Sequence, residues 1–142
     1  MNGSEITKIV RSDSVARKRF GGVLAADELP SVIGYRPRHY VVNTDVRGQP
    51  GTHWVAFFFP KTGPAEFFDS LGRAPEHYNR RFKNVLIYNG PSYAYNNVPV
   101  QPDGTNTCGQ YCLHYLTRRC RGRSMKKIVR DLQKIRKRTL LS

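Results

Sequence analysis

The run Trp54-Val55-Ala56-Phe57-Phe58-Phe59 constrains the fold more than any other stretch of the chain. Six nearly continuous apolar residues, rich in aromatics and of strand length, read as a strand buried on both faces, and such a strand belongs in mid-sheet. Pro60-Lys61-Thr62-Gly63-Pro64 is a tight connection, and Ala65-Glu66-Phe67-Phe68 follows as the return strand of a hairpin. With residues 60–64 as the loop, Phe59 faces Ala65, Phe57 faces Phe67 and Val55 faces Asp69. His53 and Asp69 then emerge at the same open end of the hairpin, about two residues apart in register.

Around this hairpin the chain reads as strands at 40–43 and 85–88, an extended piece at 98–100 limited by Pro99, a loop at 47–51 and a turn at 89–91. Residues 12–19 suit a short polar helix that Phe20-Gly21-Gly22 breaks, and 25–29 suit a further helical turn before Pro30. From Cys108 the apolar positions Cys108, Tyr111, Cys112, Tyr115 and Leu116 fall at i, i+3, i+4, i+7 and i+8, the stripe of a half-buried helix with Thr107 at the N-cap. A second helix over about 124–137 carries Met125, Ile128, Val129, Leu132 and Ile135 at helical spacing. The expected architecture is α+β: a small mixed central sheet packed against helices, with Cys108 starting a buried helix. A length of 142 residues, 39% hydrophobic with 7 Phe and 8 Tyr, suits one domain over 1–142 with one modest core.

Charge is unevenly spread. Between Arg118 and Arg138 there are eleven Lys or Arg and one acid, Asp131, so that segment holds +10 of the net +14. A basic helical segment of this density, over about 118–138, favours a polyanion such as nucleic acid, with Arg118, Arg119, Arg121, Arg123, Lys126, Lys127, Arg130, Lys134, Arg136, Lys137 and Arg138 as candidate contacts. The bland alternative is a solvated helix face. No apolar run suits a signal peptide or a membrane span, so a soluble, unexported chain that meets no membrane is expected. Three cysteines, Cys108, Cys112 and Cys120, are a poor disulfide framework and suit reduced thiols inside a cell.

A histidine beside a carboxylate has its tautomer fixed and its protonated form stabilised, as a base serving a thiol requires. The competing account is structural, with His53 closing a strand and Asp69 opening a turn at Asp69-Ser70-Leu71-Gly72. Cys108 shifts the balance. A cysteine in the first turn of a helix meets the positive end of the helix dipole and free backbone N–H groups, which favour the thiolate. Gly109 leaves room for a substrate backbone, and the polar loop 101–107 holds Gln101 where its amide can join the Cys108 N–H in binding an oxyanion.

Gly51-Thr52-His53-Trp54-Val55-Ala56-Phe57, then Phe67-Phe68-Asp69-Ser70-Leu71-Gly72, then Gln101 seven residues before Cys108-Gly109-Gln110-Tyr111-Cys112, resemble the adenovirus protease (adenain) family of cysteine endopeptidases and, more distantly, the SUMO-specific peptidases. Phe20-Gly21-Gly22-Val23 and Val41-Val42-Asn43-Thr44 extend the resemblance, which covers about residues 20–116. It implies a thiol protease with Cys108 as nucleophile, His53 as base, Asp69 orienting it and Gln101 as oxyanion donor, with Trp54 and Gly109 beside the substrate. It also implies cleavage of viral precursors at Gly-containing sites, action in the virion and host nucleus, and stimulation by DNA and a viral peptide. Asp69 stands where adenain has a glutamate, and no cysteine between Asp69 and Cys108 can tether an activating peptide.

No metal is expected, since Cys108, Cys112 and His114 lack the common zinc spacings and a fourth ligand. DNA as an activator is the one cofactor in prospect. His39, His77 and His114 read as surface residues, Cys120 as a quiet thiol among arginines, and the chain as a monomer. Two other functions stay open: a deconjugating peptidase for ubiquitin-like proteins, and a nucleic-acid-binding protein on a degenerate peptidase fold.

Overall fold

A computed structural model describes residues 1–49 and 53–141. The elements in order are α1 (Gly3–Ser12), β1 (Phe20–Leu24), β2 (Arg38–Asn43), β3 (Trp54–Phe59), β4 (Ala65–Phe68), α2 (Arg80–Tyr88), β5 (Tyr93–Tyr95), α3 (Cys108–Cys120) and α4 (Met125–Leu141). The strands form one mixed sheet in the order β1-β2-β3-β4-β5, antiparallel at its centre and parallel at both edges. The expected α+β class and the helix-start position of Cys108 are both found.

The central run behaves as its composition demands. Ala56 and Phe58 of β3 join Val41 and Phe68 in a core beneath α1, α3 and α4, while Val55, Phe57 and Phe59 join Tyr40, Val42 and Phe67 against α2. Alternation along one strand therefore feeds two separate cores. On the first, the α3 stripe continues the sheet, with Tyr115 stacked on Phe68 at 4.5 Å between ring centroids.

Several expectations are corrected. Residues 85–88 form the end of α2, not a strand, because Phe82, Val85 and Leu86 make an i, i+3, i+4 stripe that begins three residues earlier, while Ile87 and Tyr88 face out. Asn79 caps that helix by accepting from the Arg81 N–H at 2.8 Å. The first helix ends at Ser12 and only a 3₁₀ turn, Ala16–Arg19, follows; α1 starts at an Asn2/Glu5 capping box. Phe20-Gly21-Gly22 does end the helical stretch, by starting edge strand β1, where the Tyr40 ring lies so close over Gly21 that an added Cβ would sit 2.1 Å from it. Thr107 precedes α3 without a side-chain cap. The loop expected at 47–51 is described as far as Gln49; Pro50 and Gly51, with Thr52 of the His53 motif, lie outside the described residues.

His39 is also not a surface residue. It is fully buried between the rings of Phe20 and Phe58, with Nε2 donating to the Ala16 carbonyl at 2.7 Å, and burial lowers its pKa to about 4. His114 is half-buried and likewise lowered to about 4, whereas His77 is exposed.

Candidate active site

Strand register assembles the first half of the site. Ala56 pairs with Phe68, Phe57 with Phe67 and Phe58 with Glu66, the alignment that places His53 beside Asp69. His53 Nε2 lies 2.6 Å from Asp69 Oδ1. Asp69 is wholly buried, and its two oxygens also accept from the Leu71 N–H (3.1 Å), the Arg73 N–H (3.0 Å) and the Tyr78 hydroxyl (2.6 Å). Burial alone would raise its pKa; the bonds from His53, Tyr78 and Leu71 outweigh burial and hold it below the usual carboxylate range. Burial and the Asp69 carboxylate push the Tyr78 phenol far up, so it stays a donor. Its ring stacks on His53, centroids 5.4 Å apart.

Cys108 supplies the second half from the first residue of α3. Its sulfur accepts from the Trp54 backbone N–H at 3.4 Å and is close enough to His53 for each to shift the other's pKa; His53 Nε2 is committed to Asp69, so Nδ1 is the ring nitrogen left for the sulfur. Burial raises the thiol pKa, but the His53 contact and the N–H groups of Trp54 and Gly109 reverse the sign, so the net pKa is lowered. With no Thr107 cap, N–H groups at the helix start remain to face the sulfur. For His53, burial works against the imidazolium, yet Asp69 and Cys108 together raise its pKa to about 9. The two shifts act together: each favours the thiolate and imidazolium pair over the neutral thiol and imidazole.

Gln101 is held by contacts invisible in the sequence. Both the Val100 and Gln101 N–H groups donate to the Ser70 carbonyl, at 2.9 and 3.0 Å, and the Ser70 hydroxyl donates to Gln101 Oε1 at 2.6 Å. One amide hydrogen goes to the Thr105 carbonyl (2.7 Å), and the other makes no hydrogen bond among the described residues. Asn96 accepts from the Asp69 N–H at 3.0 Å and donates to the Asp69 and Val98 carbonyls. Ser70, Tyr78 and Asn96 are thus supporting residues that sequence reasoning missed; only Ser70, inside the Asp69-Ser70-Leu71-Gly72 turn, lay in a stretch already singled out.

The room expected over Gly109 is taken by the chain itself. A Cβ there would meet Met1 Cβ at 3.2 Å and Trp54 Cδ1 at 3.4 Å, and the Trp54 indole N–H donates to the Met1 carbonyl at 3.0 Å. Gly109 serves this packing and its N–H serves the sulfur. Trp54 is half-buried beside Cys108. Cys112, one turn on, is fully buried and its thiol is pushed well up by burial; Cys120 is raised to about 11, also by burial, against its arginine neighbours.

The basic residues divide. Arg119 turns inward to form a two-pronged pair with buried Glu66, which the Tyr115 hydroxyl also contacts, so it is not on the expected basic face. Arg121 pairs with Asp13, Arg123 with Asp131, and Arg136 with Asp103 and the Gln101 carbonyl. Arg118, Lys126, Lys127, Arg130, Lys134, Lys137 and Arg138 are exposed, and among the described residues none of these is in an ion pair. No helix among the described residues is long and apolar enough to cross a membrane.

Fold and site together place a cysteine thiol beside a histidine that is bonded to a buried carboxylate, on an α+β sheet domain. The chain is 32% identical over 102 residues to a thiol protease of Acanthamoeba polyphaga mimivirus, covering 63% of this chain and 32% of the relative. It is 34% identical over 89 residues to a cysteine protease of African swine fever virus, covering 56% and 32%. The crystal structure of the African swine fever virus protease matches with 27% identity and a TM-score of 0.45, over 71% of this chain and 44% of that one. The chain spans about a third of the length of these curated relatives. No protein-family model matches it.

Proposed function

We propose that this chain carries the catalytic centre of a viral cysteine endopeptidase of the adenain type. One observation carries the reading: His53 is bonded to buried Asp69 at 2.6 Å and neighbours Cys108, so that the thiol is made more acidic and the imidazole more basic. A structural cysteine has no need of that polarisation. The two viral protease relatives support the same class.

The chemistry follows from the atoms. Cys108 Sγ attacks the scissile carbonyl carbon, and the oxygen takes up negative charge against the Cys108 N–H and the spare Gln101 amide hydrogen. Collapse breaks the C–N bond as His53 passes its proton to the departing nitrogen, leaving a thioester on Cys108. A water then attacks the thioester, its proton going to His53, and the acid product departs as the thiolate reforms. Substrates of this type are viral precursor proteins cut at Gly-containing sites, a choice suited to a sulfur walled by Trp54 and buried backbone. The exposed cations of α4 support binding to, or stimulation by, DNA, and so action where DNA is packaged, in the virion and host nucleus.

The test is active-site labelling with cleavage. A thiol-directed acylating probe should modify Cys108, and Cys108→Ala and His53→Ala should each abolish hydrolysis of Gly-containing peptides while the far-UV spectrum is kept. Labelling with no turnover of any peptide or precursor, alongside salt-sensitive DNA binding, overturns the peptidase reading in favour of a DNA-binding protein on a degenerate fold. Release of a ubiquitin-like protein from an isopeptide conjugate, in preference to endopeptidic cleavage, would favour the deconjugating alternative.

A further inference from the structure

Beside His53 lies a cavity of about 420 Å³ lined by Thr44, Asp45, Leu71, Arg73, His77 and Tyr78. It touches the base but neither Cys108 nor Gln101. In any thiol-mediated acyl transfer the histidine proton must reach the departing nitrogen, so that nitrogen and the residues attached to it lie on the histidine side of the sulfur. A cavity bordering His53 alone of the reacting groups therefore receives the leaving-group half of a peptide.

Arg73 sets its chemistry. Its backbone N–H is fixed on Asp69 Oδ2 at 3.0 Å, so the residue is tied to the turn that positions the base. Its side chain is exposed, neighbours the Tyr78 hydroxyl and, among the described residues, makes no ion pair. Exposed His77 packs edge-on against Tyr78, ring centroids 5.0 Å apart, and borders the same space. Asp45 stands in the lining as the one acid, and the strongly positive chain as a whole favours acidic partners.

We propose that this cavity is the subsite for the residue just after the scissile bond and that Arg73 makes it prefer Asp or Glu. The inference rests on the peptidase reading above and adds a specificity determinant on the side away from the acyl group.

The test uses peptides identical except for Glu, Gln or Lys immediately after the cleavage point, assayed with wild type and with Arg73→Gln and Arg73→Glu. The Glu-to-Lys ratio of kcat/KM is the readout, because it cancels any general loss of activity. Wild type should favour Glu by about tenfold, Arg73→Gln should flatten the ratio and Arg73→Glu should invert it, in line with charge-pair discrimination. A flat ratio in wild type, or a ratio untouched by Arg73→Glu, overturns the subsite while peptidase activity stands. No hydrolysis of any peptide overturns both.

Discussion

The hydroxyl of Ser70 holds the side-chain oxygen of Gln101 at 2.6 Å, and the carbonyl of the same serine accepts two N–H groups from Val100 and Gln101. Ser70 directly follows Asp69, so one turn of chain fixes both the group that orients the base and the group that would receive the oxyanion. Ser70→Ala should free the Gln101 amide to rotate, lowering kcat by roughly tenfold to a hundredfold, the scale of a weakened oxyanion donor. The alkylation rate of Cys108 should be unaltered, since the thiolate does not depend on that bond. Parallel measurement of peptide turnover and iodoacetamide labelling separates the two.

The pH profile carries the polarisation of His53 and Cys108. Activity should fall on the alkaline side near pH 9, where His53 loses the proton that the leaving group needs. Asp69→Asn removes the charge that raises His53, so that limb should move toward the ordinary value of 6.5 while kcat falls by about 10²–10⁴-fold. Folding stability follows the same sign. The contribution of His53 is complete below 6.5 and is lost as pH rises through about 9, which urea titrations at several pH values will read.

Gly72 has φ +75°, and a Cβ there would lie 2.4 Å from the Val98 carbonyl carbon. Gly72→Ala should cost about 1–3 kcal/mol from backbone strain and push segment 98–101 away from Ser70. Thermal melts and turnover should both suffer, with turnover hit harder than the loss of folded protein accounts for.

Glu66 is buried, and Arg119 neutralises it. Arg119→Ala should destabilise by roughly 3–5 kcal/mol because an unpaired buried carboxylate remains, and Glu66→Gln in that background should recover part of the loss. Denaturant unfolding of the single and double variants measures the recovery. Destabilisation by the second change as large as by the first would contradict a charge-pairing role.

Arg136 Nε donates to the Gln101 carbonyl at 3.2 Å. Arg136→Ala should therefore lower kcat a few-fold even without DNA, whereas Lys127→Ala, on an exposed position of the same helix, should lower only DNA affinity and reduce the slope of log affinity against log salt by about one. Turnover in DNA-free buffer and a salt titration of DNA binding check the pair.

The hairpin was readable because a continuous apolar run, a short Gly/Pro loop and a second apolar strand fix register, and register alone brought His53 to Asp69. The helix of Cys108 was readable from its apolar stripe. What escaped was set by distant contacts. The Ser70–Gln101 bond spans 31 positions and the Asn96 clamp on Asp69 spans 27, and no local pattern encodes either. Residues 85–88 misled because four apolar letters fit a strand until the Phe82 position is included. The basic residues looked alike in sequence, yet Arg119 and Arg136 face interior partners that only folding supplies.

The two halves of the site differ in how firmly they are anchored. Cys108 rides on α3, whose Cys112, Tyr115 and Leu116 are sealed into the core, while Gln101 sits on a short span tied by Asn96 to Asp69 and by Val100 and Gln101 to Ser70. The span at 96–101 belongs to no helix or strand, so on warming it should open before α3 does, even with Val100 buried in the core. The protein should then pass through a range in which its sulfur still reacts with small alkylating agents but peptides are no longer turned over. Heat inactivation should thus precede melting and reverse on cooling, which activity and far-UV melts recorded side by side will read.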